Sequence, residues 1–109
     1  MKTPQYIHEI RIPSKVCFDT RLRASAKLLY GEIAHLCQQQ GCCPMSNHYF
    51  AGLFRVNPKT VNAWVDQLEE MGYLRVRYDA SGQHRLLYLE VEAQAEELNN
   101  DPNQLSLLP

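Results

Sequence analysis

Lys59, Thr60 and Asn62 fall within four residues of one another, immediately after an Asn57-Pro58 pair. An ammonium and a hydroxyl near the positive end of a helix suit a phosphate or a base edge. An asparagine amide carries the donor and acceptor that match the N6/N7 edge of adenine. A second cationic group follows: Arg75, Arg77, His84 and Arg85 are close enough in sequence to track a nucleic-acid backbone or enter a minor groove. Arg55 adds charge just ahead of the first group, and Asp66 marks where that contact surface ends.

Residues able to support other chemistry lack companions. The cysteines are Cys17, Cys37, Cys42 and Cys43, with no C-x2-C pair, and His35 and His48 stand at no zinc-ligand spacing. Reduced thiols serving as small apolar groups are the better reading. Asp66, Glu69 and Glu70 share one helix without the partner cluster that a metal or an acid/base pair needs. No Ser or Cys lies in a recognisable nucleophile context, and no Gly-rich phosphate loop is present. The sequence therefore predicts a binding protein rather than an enzyme, with no metal, cofactor or small-molecule substrate.

The elements that must hold these residues follow from periodicity. Tyr6, His8, Ile10 and Ile12 alternate with Ile7, Glu9 and Arg11, which predicts a short strand closed by Pro13. Ala26, Leu29, Tyr30, Ile33, Leu36 and Cys37 recur at helical steps, with Asp19 or Ser25 as cap and Gly41 as stop. Ser46 or Asn47 starts a second helix, on which Phe50, Leu53 and Phe54 face a core and Ala51 allows close approach. Arg55-Val56-Asn57 turns into a third helix, whose apolar face is Val61, Trp64 or Val65, and Leu68, ended by Gly72. Leu74 and Val76 then alternate with Arg75 and Arg77, and Ala80–Gln83 turns the chain into a returning strand over residues 84–91. Helix, turn, helix and hairpin in this order predict an α+β fold, mainly α: a winged helix-turn-helix with three helices, a two-stranded wing and a short N-terminal strand.

Composition agrees. With 45% hydrophobic and 21% charged residues the 109-residue chain reads as one globular domain, over residues 1–91. No apolar run approaches the ~20 residues that cross a bilayer, and the N-terminus reads as no signal peptide, so a cytoplasmic location is expected. The net charge of −1 hides an asymmetry. All 11 Lys and Arg precede residue 86, and the first 89 residues hold seven acids, a surplus of four cations. The last 20 hold Glu90, Glu92, Glu96, Glu97 and Asp101 against no Lys or Arg.

The run Ile12-Pro13, Leu22, Ala26-Lys27-Leu28-Leu29-Tyr30-Gly31-Glu32-Ile33, Ser46-Asn47, Ala51, Leu53-Phe54, Val56, Thr60-Val61, Leu68-Glu69-Glu70 and Gly72-Tyr73 resembles a known group. That group is the winged-helix domain of phage and plasmid replication-initiation proteins, including replisome organisers and DnaD-like N-terminal domains. The resemblance spans about residues 10–90. It implies duplex binding at an origin or recruitment of the replication machinery, often as a dimer, with the helix carrying Thr60 as the reader. Two positions depart from the group. Arg55 stands where Gly is frequent, so a positive φ there is strained. Ala63 stands where a cation is frequent, which shifts expected contact toward the wing.

Residues 92–109 read as an acidic flexible tail with Asn99-Asn-Asp-Pro-Asn103 as a breaker cluster. Its end, Gln104-Leu105-Ser106-Leu107-Leu108, resembles the bacterial sliding-clamp-binding peptide, with Gln104 for a pocket mouth and Leu105, Leu107 and Leu108 for apolar clefts; Leu108 replaces the usual Phe. Together these features predict a DNA-binding replication initiation or accessory protein of a mobile element. Its DNA-binding residues are Arg55, Lys59, Thr60, Asn62, Arg75, Arg77 and Arg85. A homodimer is expected, with the Tyr6–Ile12 strand offering an edge. A small transcriptional regulator, or a protein-docking module without DNA binding, are the alternatives on the same fold.

Overall fold

A computed structural model describes residues 8–90. The described chain forms four helices and one two-stranded antiparallel sheet: α1 (Ser14–Cys17), α2 (Ala24–Gln40), α3 (Asn47–Phe54), α4 (Pro58–Glu70), β1 (Leu74–Tyr78) and β2 (Arg85–Leu89). This is the expected winged helix-turn-helix, with one additional short helix. α1 escapes prediction because four residues give no helical period, and only Val16 is buried from it.

Local sequence explains most boundaries. Ser46 Oγ accepts from the Tyr49 amide at 3.3 Å and caps α3. Asn57 Oδ1 accepts from the Lys59 amide at 2.9 Å, and Pro58 fills the first turn of α4, where its missing N–H costs nothing. Gly41 closes α2 in the left-handed region at φ 84°. Gly72 follows the Met71 cap of α4 at φ 85°. The start of α2 differs from expectation: neither Asp19 nor Ser25 caps it. Arg23 takes that position without a side-chain bond, because Asp19 is committed to Arg21 and Tyr73. Gln67 of α4 ties this end instead, accepting from the Arg23 amide at 3.3 Å and donating to the Arg21 carbonyl at 3.0 Å.

The core gathers Leu29, Tyr30 and Ile33 from α2, Phe50 from α3, Val61, Val65 and Leu68 from α4, and Leu74 and Leu87 from the hairpin. Val61, Trp64, Val65 and Leu68 are all buried, so both expected alternatives on α4 face inward. α4 packs on α2 and α3, and Phe54 meets Trp64 edge to face at 5.8 Å. The turn between α3 and α4 holds Arg55 at φ 58°, ψ 50°, while the Val56 amide reaches back to the Ala51 carbonyl at 3.0 Å.

The expected N-terminal strand is corrected over its described part. Residues 8–12 form no ladder. They lie along α2 where Gly31 leaves room: a methyl group there would strike the Ile10 side chain and stand 3.1 Å from Ile12 Cγ1. The alternation of apolar residues reflects packing on a helix, not pairing in a sheet. The edge proposed for a dimer is therefore absent from residues 8–12. β2 pairs with β1 on one side and with Cys43 on the other, through an isolated bridge at Leu87, so the open edge among the described residues belongs to β1.

Candidate nucleic-acid interface

α4 presents Lys59, Asn62, Ala63 and Asp66 to solvent, with Thr60 half-buried beside them. Two clefts flank this face. The larger, about 700 Å3, lies between the N-termini of α3 and α4 and the wing; Lys59, Asn62, His48, His84, Arg85 and Asn47 line it. The smaller, about 490 Å3, lies toward the start of α2 and is lined by Arg23, Lys59, Thr60, Ala63, Trp64 and Gln67. Lys59 borders both. A polar helix face between two cation-bearing clefts suits a helix seated in a major groove with phosphates on either side.

The strand register sorts the wing. Arg75 pairs with Tyr88 and Arg77 with Leu86, whereas Tyr78 pairs with Arg85. Residues opposite one another share a face, and faces alternate along a strand. Arg75 and Arg77 therefore point away from the face that carries Leu74, Val76 and Arg85. Arg75 sits 5.8 Å over the Tyr88 ring and 3.6 Å from Glu90. Arg77 donates to its neighbour's carbonyl on Val76 at 2.8 Å. The structure thus does not bring the wing arginines into one group.

Arg85 faces the helices and is held there. Its guanidinium donates to Asn47 Oδ1 at 2.7 Å and to the Met45 carbonyl at 3.0 Å. Burial lowers its pKa, and nearby Cys43, Tyr78 and Asp66 act against that shift. Asn47 Nδ2 in turn donates to Asn62 Oδ1 at 3.3 Å, and Asn62 Nδ2 to Asp66 Oδ2 at 3.2 Å. At the wing tip, Asp79 Oδ1 accepts from Ser81, and His84 Nδ1 lies 2.7 Å from Asp79 Oδ2. These bonds, the one from Ser81 foremost, hold the Asp79 carboxyl down at about 2. Arg55 is exposed at the turn.

Lys59, Thr60 and Asn62 are thus grouped as expected, Arg85 joins them, and Arg75 and Arg77 do not. Arg23 carries no signal in the sequence: it precedes α2, and its place in the smaller cleft comes from the docking of that helix start on α4, where its amide meets Gln67. The sequence marks Asn47 only as a candidate cap, and nothing in it gives the distance from Asn47 to Arg85. Burial pushes the thiols of Cys37 and Cys43 up to about 11, and the described residues contain no group of three His, Cys, Asp or Glu placed to hold a metal. No helix among the described residues is long and apolar enough to cross a membrane.

A family model described as a helix-turn-helix domain matches residues 20–74, half of the chain. The chain belongs to this helix-turn-helix domain family. The match takes in α2, α3, α4 and the first residue of β1, the portion that bears both clefts' helical walls. Comparison with curated proteins and with solved structures gave no match. Membership of a DNA-binding helix-turn-helix family agrees with the polar face of α4.

Proposed function

We propose that the protein is a replication initiation or accessory factor of a phage, plasmid or other mobile element, which binds duplex DNA by seating α4 in the major groove. One observation carries the duplex reading: Lys59 borders both clefts, with Arg23 on one side of α4 and Arg85 on the other. Phosphates flanking a groove about 12 Å wide would meet Lys59 and Arg23, while Arg85, bonded to Asn47 and Met45, braces the wall of the larger cleft and Asn62 faces the base edges. The process is supported by the resemblance over residues 10–90 and by the Gln104–Leu108 peptide, which lies outside the described residues. A homodimer belongs to the same proposal, with the β1 edge as its available ladder.

Fluorescence anisotropy on random duplex at several salt concentrations tests the duplex reading. Lys59→Ala and Arg23→Ala should each weaken binding and reduce the salt slope by about one. Arg75→Ala/Arg77→Ala should change little, since both side chains face away from the clefts. Equal affinity for parent and Lys59→Ala at every salt would remove the duplex reading. A Gln104→Ala/Leu107→Ala variant that binds purified sliding clamp as well as the parent would remove the clamp.

A further inference from the structure

Four side chains form a line from the wing to the reading helix: Arg85, Asn47, Asn62 and Asp66, linked at 2.7, 3.3 and 3.2 Å. Amide orientation is usually ambiguous, because oxygen and nitrogen are nearly alike in shape. Here the ends of the line remove the ambiguity. Arginine has donors only, so Asn47 must turn its oxygen to Arg85 and its nitrogen onward. An ionised aspartate accepts only, so Asn62 must turn its nitrogen to Asp66 and its oxygen back to Asn47. A donor-only head and an acceptor-only tail thus give the whole relay one polarity.

Each Asn62 amide atom uses one of its two hydrogen-bonding capacities in the relay, leaving one donor and one acceptor. Asn62 is exposed on the face of α4 and lines the larger cleft. Adenine offers an acceptor at N7 and a donor at N6 in the major groove, whereas guanine offers two acceptors. An amide held in one orientation meets the first pattern without first losing rotational freedom. It opposes the second through its oxygen.

We propose that Asn62 is the specificity-determining residue of this interface, selecting adenine, and that Arg85 and Asp66 are positioning residues which fix its amide through the relay. This rests on the duplex reading above. Asp66, a carboxylate on a face otherwise suited to phosphate, thereby acquires a role: it holds the reader rather than the DNA. Arg85 likewise acts mainly through Asn47, leaving Lys59 and Arg23 for the backbone.

The test is selection of bound sequences from a random duplex pool by the full chain, followed by anisotropy on the selected site. The parent should enrich one adenine, and replacing that base with 7-deazaadenine should cost about tenfold in affinity. Asn62→Ala should lose the preference at that position only. Asp66→Asn gives the tail of the relay a donor, so it should flatten the same preference, read as the ratio of affinities for the selected site and for that site with the adenine replaced, a ratio that a uniform change in backbone contact leaves unaltered. Asn47→Ala should do likewise, and Arg85→Lys should retain more of the preference than Arg85→Met. Far-ultraviolet circular dichroism separates these effects from unfolding, and Asp66→Asn, an exposed isosteric change, carries the test if Arg85 variants unfold. A parent that binds random duplex but enriches no adenine overturns the proposal alone. So does an Asp66→Asn/Asn47→Ala variant that enriches the parent's base equally. A parent that binds no duplex at low salt overturns the duplex reading and this inference with it.

Discussion

Arg55 occupies a backbone conformation, φ 58° and ψ 50°, that an L-residue other than Asn or Asp rarely adopts. Glycine there would relieve the contact between Cβ and backbone, so Arg55→Gly should raise stability by about 1 kcal/mol, measured by urea unfolding. If the guanidinium beside the turn touches DNA, the same variant should bind duplex more weakly with a shallower salt slope. Stability and affinity moving in opposite directions would identify strain retained for function. The single-residue features of the site divide by what local sequence can encode. Asn57 as a cap and Lys59 at the helix start were legible, because a cap and its helix end are neighbours in sequence. The commitment of Asn62 to Asn47, and of Asp19 to Tyr73, was not, because each pairing depends on how distant elements dock.

Elements were legible where a period or a stop signal exists. α2, α3, α4 and the hairpin follow from apolar spacing bounded by Gly41, Asn57-Pro58 and Gly72. The faces of the wing were not legible. Which strand positions stand opposite one another depends on the register, Tyr78 to Arg85, and hence on a six-residue connection, not on alternation within either strand. The N-terminal segment shows the converse error, in which a true alternation led to the wrong partner. Gly31→Ala tests that packing. The new methyl group gains about 1 kcal/mol in helix propensity but displaces Ile10 and Ile12, so the segment should lift from α2. The His8–Glu32 contact, 2.9 Å in the parent, should then be lost together with the stacking of the His8 and His35 rings at 3.8 Å, and a change in the ring proton shifts of both histidines would report it.

The wing turn offers a pH-dependent prediction at the same scale. Asp79 has a folded pKa of about 2 against the ordinary 3.8, so its contribution is fully present above 3.8 and fades as pH falls toward 2. Amide shifts of Ser81 and His84 should therefore move in a transition centred near pH 2. An Asp79→Asn variant should remove the transition. Retention of the shifts in that variant would place their origin elsewhere.

At the scale of the whole molecule, charge is distributed rather than abundant. A cationic surplus of four in the first 89 residues faces five acids in the last 20. Replacing Glu92, Glu96 and Glu97 by glutamine moves the formal charge from −1 to +2 without touching the described fold. Nonspecific duplex affinity should rise severalfold at low salt and converge with the parent's at high salt, where the Debye length falls below about 5 Å. Anisotropy on random duplex measures both limits, and an increase that persists at high salt would exclude a purely electrostatic origin.

The bridge between Cys43 and Leu87 has a consequence for how such a molecule grips. Backbone bonds of 2.8 and 2.9 Å fasten β2 to the segment before α3, and Arg85 adds a second fastening only two residues away. What is usually pictured as an arm that swings onto its target is here closer to a hook, with a fixed shank and a small barb at residues 79–84. A duplex bound as proposed would have to meet such a hook already oriented. Its reach can be altered by exchanging the barb while α4 is left intact.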